Sequence, residues 1–392
     1  MLSYKKKLRS FSLEISDQII IDLKNRLSLT RFPDEPIDQT KRNDWKYGTN
    51  LEWLKNLVDY WMKDFNWRKQ EEYLNQYEQY KVSIHDIDLH FIIINNCKNN
   101  PRPLLLLHGW PGSIFEFLDL IPFLTNPQNI DGKIFDSFSL IIPSLPGFGL
   151  SFLPNQKRFS VEEISDCLHT LMCEILGFKK FFAQGGDWGA FICQRLAYSY
   201  PESLYATHIN YMPLRRDKKL FPKKLSEEEA IYEKSLKNFL KEESGYQFIQ
   251  GTRPQTLSYS LNDSPAGLAA WICEKFYSWS DCGGNIYSTF SKDQLLSNVS
   301  LYWFTQAIGS SFWPYYSRIH GSWPIPDKKR INVPIGYCEF PFEILRPPRS
   351  LAENYFSNIV RWSIAERGGH FAAMEQPEVL ANEIHKTFKN FF

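Results

Sequence analysis

The stretch QGGDWGAFICQRL, from Gln184 to Leu196, decides the fold of this chain. It follows the apolar run FFA and places one residue between small neighbours, a pattern typical of a sharp turn between a buried strand and a helix. Gly185 and Gly189 allow the backbone to turn tightly and the helix to pack close to the strand. The residue at the turn is Asp187, where a serine is the familiar occupant. The stretch therefore predicts a strand, a turn that presents a carboxylate, and a helix.

Asp187 has two interpretations. An Asp in front of a helix often accepts hydrogen bonds from the first backbone N–H groups, and this capping role needs no chemistry. An Asp at such a turn also serves as a nucleophile, because its reference pKa is about 3.9 and it is already ionised at neutral pH. A serine, in contrast, needs a base to remove its proton before it attacks. The motif alone leaves both interpretations open.

The composition restricts the class of protein. The chain has 392 residues, of which 43% are hydrophobic and 16% aromatic, and this indicates a folded globular protein with room for one large core or two domains. The formal net charge is +1. Binding to nucleic acid calls for an excess of Lys and Arg, so we expect no nucleic-acid partner.

Apolar runs and cysteines indicate the compartment. No apolar run approaches the roughly 20 residues that span a bilayer, so we expect no transmembrane anchor. No apolar signal-peptide core follows the basic cluster near the N-terminus, so we expect a cytoplasmic protein. The seven cysteines are scattered and form no CxxC pair, which argues against both a disulfide framework and a metal site.

Short apolar runs that end in Gly or Pro alternate with helical patterns from residue 78 onward. These predicted strands are IDLHFIIINN, PLLLLHGWPG, FSLIIPSLPGFG, KFFAQGG, LYATHINYM, NVPIGYCEF and NIVRWSIAE. The intervening helix SVEEISDCLHTLMCEILGF begins with a capping box of Ser160 and Glu163 and stops at Gly177. Strands that alternate with helices predict an α/β fold with a mostly parallel central sheet and helices on both faces.

Two segments break this alternation. Residues 1–77 have a helical pattern rich in Trp, and residues 214–325 are rich in aromatic residues. The second segment contains two further helix starts, at Ser264 before Pro265 and at Ser291 with Gln294. We therefore expect an N-terminal helical extension over 1–77, an α/β core over 78–213 and 326–392, and a helical lid over 214–325.

A loop after a predicted strand supplies one partner for Asp187. The motif HGWPGS is either a plain turn or a loop that offers the backbone N–H of Trp110 to the turn at Asp187. Together with the N–H of Trp188, that group would form an oxyanion hole. The loop consists of His108, Gly109, Trp110 and Pro111.

A histidine and an acid complete the candidate set. His370 lies in the Gly-rich loop of ERGGHFAAMEQPE, after the final apolar strand, whereas Glu343 follows the strand NVPIGYCEF. Glu339 is nearby, but it lies within the strand run, so we favour Glu343. The order Asp187, Glu343, His370 is that of nucleophile, acid and histidine in α/β-hydrolases. The histidines interpreted as ordinary surface or core residues are His85, His90, His169, His320 and His385.

Several motifs together resemble those of the microsomal-type epoxide hydrolases. They are HGWPGS, PSLPGFGLS, GGDWG, ESGY, LNDSPAGLAAW, FPFE and RGGHFAAMEQPE, and the N-terminal block resembles that family's own N-terminal domain. The resemblance covers nearly the whole chain. It implies an α/β-hydrolase fold and the conversion of an apolar epoxide and water to a diol through a covalent ester on Asp187, which water activated by His370 and Glu343 hydrolyses. Roles in detoxification, xenobiotic metabolism and aromatic hydrocarbon catabolism are implied as well.

The resemblance also implies two proton-donating tyrosines in the lid. They are Tyr246 of ESGY and Tyr315 of SSFWPYY, with the adjacent Tyr316 as an alternative. It implies neither a cofactor nor a metal. A dehalogenase with the same Asp nucleophile and an inactive binding homologue are the competing functions, and paired tyrosines favour the epoxide. The identity of the epoxide is open, and so is a homodimer.

Overall fold

The computed structural model describes residues 8–36, 45–95, 102–126, 128–130, 132–135, 137–216 and 220–391. Cys97 and the basic cluster near the N-terminus lie outside these residues. Within them the strands, in chain order, are β1 (Arg9–Phe11), β2 (Glu78–Ile84), β3 (Ile87–Ile94), β4 (Arg102–Leu107), β5 (Gln128–Ile130), β6 (Lys133–Phe135), β7 (Phe138–Pro143), β8 (Phe181–Gly185), β9 (Leu204–Ile209), β10 (Ile335–Glu339) and β11 (Ile359–Ile364).

The main sheet has the strand order β1-β2-β3-β7-β4-β8-β9-β10-β11. Strands β7, β4, β8, β9, β10 and β11 are parallel to one another, whereas β1, β2 and β3 add an antiparallel edge. Every residue of β7 and of β8 is buried. Central parallel strands need such continuous apolar runs because helices cover both of their faces. The predicted mostly parallel sheet is confirmed.

Helices fill the connections between these strands. In chain order they are α1 (Asp17–Ser28), α2 (Leu51–Lys63), α3 (Trp67–Asn75), α4 (Ile121–Thr125), α5 (Val161–His169), α6 (Asp187–Ser199), α7 (Glu227–Glu242), α8 (Gly245–Thr252), α9 (Pro254–Asp263), α10 (Pro265–Ser278), α11 (Lys292–Thr305), α12 (Ile308–Ser311), α13 (Trp313–His320), α14 (Arg349–Ala352), α15 (Ala372–Glu375) and α16 (Pro377–Phe388). A 3-10 turn, Ile114–Phe117, follows β4.

The predicted helix starts are present in the structure. Ser160 and Ser291 each form a capping box, with Glu163 and Gln294 respectively. Ser264 accepts a hydrogen bond from the N–H of Gly267 at the start of α10. These caps satisfy backbone donors that have no partner inside the helix, and so they set where each helix begins.

Helices α7 to α13 all lie between β9 and β10 in the chain. Two of them, α8 and α13, contribute residues to the cavity above the carboxyl ends of the strands. Three connections meet at this same edge of the sheet. They are the loop after β4, the turn from β8 into α6 and the segment after β10. In an open α/β sheet, ligands bind in the crevice beyond this edge. The domain boundaries given above remain predictions.

The N-terminal segment packs against the lid helices as well as against the sheet. Trp45 stacks on Tyr277 of α10 with a ring-centroid distance of 4.3 Å, and the hydroxyl of Tyr60 donates to Asp293 at 2.8 Å. Strand β1 joins the same segment to the edge of the sheet. Since Tyr277 lies on α10 and Asp293 on α11, the N-terminal segment packs against the outer side of these two helices.

No helix among the described residues is long and apolar enough to cross a bilayer. The cysteines of the described residues are all free thiols.

Candidate active site

The turn between β8 and α6 presents Asp187 in a strained conformation. Asp187 has φ +43°, in the left-handed region that non-glycine residues rarely adopt. The N-cap of α6 is Gly186, and no side chain caps this helix, so the carboxylate of Asp187 does not act as a cap. A Cβ atom on Gly189 would overlap the carbonyl oxygen of Leu107, which explains why the close approach of α6 to the sheet requires glycine there. Such strain is characteristic of functional sites.

The carboxylate of Asp187 has two partners from other parts of the chain. Its Oδ1 accepts a hydrogen bond from the backbone N–H of Trp110 at 2.7 Å. Its Oδ2 lies 3.4 Å from Nε2 of His370, and the side chain of Asp187 is 16% exposed. The N–H of Trp188 belongs to the first turn of α6, where helix N–H groups have no partner inside the helix. Its part in an oxyanion hole stays a prediction.

The loop that carries Trp110 is held by two layers of hydrogen bonds. Below it, Nε2 of His108 accepts from the N–H of Leu145 at 3.2 Å, and Nδ1 donates to the carbonyl of Gly109 at 3.0 Å. Burial lowers the pKa of His108 to about 4, so the ring is neutral and keeps this tautomer. The peptide bond between Trp110 and Pro111 is cis. His108 therefore shapes the loop and leaves the chemistry to other groups.

Two lid residues that sequence reasoning missed hold the same loop from above. The amide of Asn298 donates to the carbonyl of Pro111 at 2.7 Å, and the hydroxyl of Tyr302 donates to the carbonyl of Gly112 at 2.8 Å. Both lie on α11, four residues apart, and so they share one face of the helix. The spacing of four between Asn298 and Tyr302, within a predicted helix, was the available signal.

His370 and Glu343 form a buried pair. Nδ1 of His370 donates to Oε1 of Glu343 at 2.7 Å, and this oxygen also accepts from the N–H of Ile344 at 2.7 Å. The backbone N–H of His370 donates to the carbonyl of Trp279 at 2.8 Å, which attaches the histidine loop to the residue that follows α10. The alternative acid Glu339 instead lies 3.7 Å from Arg346.

The negative charges around His370 determine the pKa of its imidazole. Burial by itself lowers the pKa of His370, but the negative charges of Glu343 and Asp187 outweigh it and raise this pKa well above its ordinary value. In the free enzyme, His370 is therefore an imidazolium between two carboxylates. The loss of either negative charge would lower its pKa.

Two of the three candidate tyrosines, Tyr246 and Tyr315, lie at the site, and Tyr316 does not. Tyr246 is stacked on Trp110 with centroids 5.5 Å apart, and Tyr315 lies edge-on to Trp188 at 4.7 Å. Their rings are 5.7 Å apart, and both line a cavity together with Asp187. Burial raises the pKa of each phenol well above 10, so both keep their protons at neutral pH. Tyr316 stacks instead on Trp313, away from this cavity.

The cavity over Asp187 has a volume of about 180 Å³ and is mostly apolar. Its apolar walls are Trp188, Phe191, Phe248, Ile319, Trp323 and Ile344. Two charged lining residues, Arg216 and Arg318, were not predicted from the sequence. Within the described residues no group of three His, Cys, Asp or Glu could hold a metal ion.

The fold and the turn at Asp187 define an α/β-hydrolase whose nucleophile position holds a carboxylate. The sequence matches the family described as "Epoxide hydrolase N terminus" over residues 8–117 and the "alpha/beta hydrolase fold" over residues 102–208. Epoxide hydrolase 1 of Sus scrofa is 36% identical over 97% of this chain and 88% of its own length. The chain therefore belongs to the epoxide hydrolase family.

Other relatives agree with this assignment. Juvenile hormone epoxide hydrolase 2 of Ctenocephalides felis is 38% identical, over 98% of this chain and 86% of its own. The crystal structure of juvenile hormone epoxide hydrolase from Bombyx mori superposes with a TM-score of 0.84 at 30% identity, covering 99% of this chain and 95% of that one. The structure of Aspergillus niger epoxide hydrolase gives 0.84 at 27% identity, with coverages of 98% and 96%.

Proposed function

We propose that Asp187 carries out the first step of epoxide hydrolysis, the activity of the family to which this chain belongs. The carboxylate attacks a ring carbon, the C–O bond of the three-membered ring breaks, and an alkyl ester with Asp187 forms. The observation that carries this proposal is the position of Asp187 at a strained turn, bonded to the N–H of Trp110 and in reach of His370. No base is needed because a carboxylate is already a nucleophile.

The oxygen that leaves the ring carbon must gain a proton. Tyr246 and Tyr315 line the cavity above Asp187 and are protonated, so we assign them as the donors. A phenol that stabilises the developing alkoxide acts as a general acid, a contribution typically worth 10²- to 10⁴-fold in rate. A haloalkane would release halide, which needs no proton. The paired phenols therefore support an epoxide substrate over a haloalkane.

The second step uses His370 as the base. Esterification removes the negative charge of Asp187, and this lowers the pKa of His370, because one of its two anionic partners is gone. The imidazole then becomes neutral and takes a proton from water, while Glu343 stabilises the imidazolium that forms. The first step in this way prepares the base for the second.

Hydroxide adds to the acyl carbon of the ester, and the tetrahedral oxyanion needs donors. The N–H of Trp110 already binds a carboxylate oxygen of Asp187, and we assign the N–H of Trp188 as the second donor. Loss of one such donor typically costs about 10²- to 10³-fold in rate. Collapse of the intermediate releases a vicinal diol and restores the carboxylate.

Turnover of a panel of apolar epoxides, with chiral analysis of the diols, tests the proposed activity. We expect diol formation by the natural sequence and none above background by Asp187→Asn in enzyme prepared and assayed without delay. Diol formation by Asp187→Asn at the wild-type rate would contradict the proposal. Release of halide from haloalkanes at rates above those for epoxides would favour the dehalogenase.

The cellular role and location of the protein are a separate proposal. Detoxification of apolar epoxides is consistent with the mostly apolar cavity. Free thiols among the described cysteines support a reducing compartment, and we assign the cytoplasm. Fractionation of cells that express the natural gene, followed by immunodetection, tests this assignment.

A further inference from the structure

A second carboxyl group lies beside Asp187, behind the HGWPG loop. Glu116 belongs to the 3-10 turn Ile114–Phe117, and its carboxyl group occupies the space next to Gly112 that a Cβ atom would fill. It lines a small cavity together with Asp187 and His370. Within the part of the chain that the structure describes, neither Lys nor Arg contributes to its electrostatic surroundings. A carboxylate flanked by Phe115 and Phe117, in the otherwise apolar stretch SIFEFL, was the signal in the sequence.

This cavity is suited to a water molecule. Its volume is about 20 Å³, and a cavity holds one water from roughly 10–15 Å³ upward. Gln184, which also lines it, has a buried Oε1 without a hydrogen-bond partner, although its Nε2 donates to Asn210 at 2.8 Å. A buried acceptor without a donor is unfavourable. In the resting enzyme His370 is protonated and accepts no hydrogen bond from the water, so the water can donate to Gln184 until the ester forms.

We propose that this cavity holds the water that hydrolyses the Asp187 ester and that Glu116 orients it; this rests on the proposed function. The water gives one proton to Nε2 of His370 and donates its other O–H to Glu116. Its oxygen bonds to Cγ of Asp187, the ester C–O bond breaks, and the departing alkoxide takes the proton from the imidazolium. The second water proton stays on the new carboxyl group of Asp187, which then ionises.

Glu116 performs this role in either protonation state. Burial raises the pKa of Glu116 to about 8, with the charge of His370 opposing the rise and that of Asp187 adding to it. At neutral pH the group is therefore mostly a neutral acid. A neutral carboxyl group still has an oxygen that accepts a hydrogen bond, and so does an amide. Glutamine at position 116 should accordingly still orient the water, whereas alanine should not.

Single-turnover rapid quench with styrene oxide tests the role of Glu116. We expect Glu116→Ala to slow hydrolysis of the ester at least about tenfold more than it slows formation of the ester, a ratio that a merely structural effect would not move. Glu116→Gln should restore the ratio to within about threefold of the wild type. The exposed Glu174→Ala serves as the matched control.

Two outcomes would overturn this role. They are a wild-type ratio of the two rates in Glu116→Ala, whether or not both steps are slowed, and no rescue of the ratio by glutamine. If the wild-type protein itself forms no ester on Asp187, the failure belongs to the proposed function. The same quench samples distinguish these cases, because they report the ester directly.

An independent observation concerns the large cavity and the charge in its wall. Arg216 lines this cavity with Asp187. Its Nη2 donates to the hydroxyl of Tyr211 at 2.7 Å, its Nη1 donates to Oε1 of Gln247 at 2.9 Å, and the guanidinium lies 5.0 Å from the ring centroid of Phe239. These neutral groups fix the side chain, but no carboxylate of the described residues pairs with it.

A guanidinium that pairs with no carboxylate of the described residues suggests a ligand that supplies an anionic partner. Burial of a charge is costly unless it is paired, and two of the five N–H donors of Arg216 are used by the contacts above. The planar fork of Arg matches a carboxylate. From this we infer that the site prefers epoxides with an apolar body and a carboxylate end, which Arg216 binds. This inference names the substrate class of the proposed function.

A matched pair of substrates tests this preference. A series of epoxyalkanoic acids of increasing chain length is compared with the corresponding methyl esters. For the best chain length we expect the ratio of kcat/KM for the acid to kcat/KM for the ester to fall at least about tenfold in Arg216→Gln and to recover in part in Arg216→Lys. The exposed Arg253→Gln is the control.

Two results would overturn the inference from Arg216. One is a wild-type enzyme that prefers the esters at every chain length, and the other is an equal loss for acid and ester in Arg216→Gln. The second result would mean that Arg216 acts through Tyr211 or Tyr246. A wild-type protein that hydrolyses neither series would count against the proposed function instead.

Discussion

Replacement of Glu343 by glutamine should separate the two chemical steps. Glu343 lies 2.7 Å from Nδ1 of His370 and is fully buried, so its charge acts on the imidazolium without screening by solvent. Glutamine keeps the size and one acceptor oxygen but removes the charge. Attack by Asp187 does not require a base, whereas activation of water does, so we expect the second step to slow far more than the first.

The magnitude follows from the geometry of this pair. A hydrogen bond to a charged partner is worth about 1.5–3 kcal/mol, and two unit charges 4 Å apart contribute about 4 kcal/mol at an effective dielectric constant of 20. A loss of about 2–4 kcal/mol corresponds to a roughly 30- to 1,000-fold slower hydrolysis of the ester. Ester formation should change by no more than about threefold.

Intact-protein mass spectrometry after rapid mixing with a substrate epoxide measures both steps. The ester should accumulate on Glu343→Gln as added mass on the peptide that contains Asp187. Loss of Glu343 also lowers the pKa of His370, so the rise of hydrolysis rate with pH should occur at lower pH in the variant. Equal slowing of both steps, or no accumulated ester, would refute this reasoning. Glu339→Gln is the matched control, because this carboxylate faces Arg346.

Further predictions concern the phenols, the turn and a helix cap. Tyr246→Phe and Tyr315→Phe should each slow ester formation about tenfold, and the double variant about 10²- to 10⁴-fold, whereas Tyr316→Phe should react as the wild type does in the same quench assay. Gly189→Ala should destabilise the protein by about 1–3 kcal/mol and reduce turnover, measured by urea unfolding and diol release, since its Cβ overlaps a backbone oxygen of the sheet. Ser160→Ala removes a capping box and should lower stability by about 1 kcal/mol while leaving turnover unchanged; a loss of turnover would show that the cap affects the site.

Local sequence signals were sufficient for the sheet and for much of the site. The turn at Asp187 was recognisable from the glycines around it and from the apolar strand before it. The order of the residues along the chain indicated His370. Glu343 could be separated from Glu339 because a residue inside a parallel strand points into the packing of the sheet, while a residue just beyond its end can reach the crevice.

Other features depend on packing between distant segments. Adjacent residues of a helix differ by about 100° in direction, so the choice between Tyr315 and Tyr316 requires the rotation of α13, which its neighbours determine. The stack of Trp45 on Tyr277 joins segments more than 200 residues apart, and no pattern near either residue predicts it. The partners of Arg216 are likewise visible only after folding.

The origin of the new oxygen tests the central claim most directly. If a carboxylate oxygen of Asp187 becomes part of the diol, then a single turnover in H₂¹⁸O must place the label in the enzyme, on the peptide that contains Asp187, and leave the first diol unlabelled. Label in the diol of that first turnover, with an unlabelled enzyme, would mean that water attacks the epoxide directly. That result would contradict the covalent mechanism.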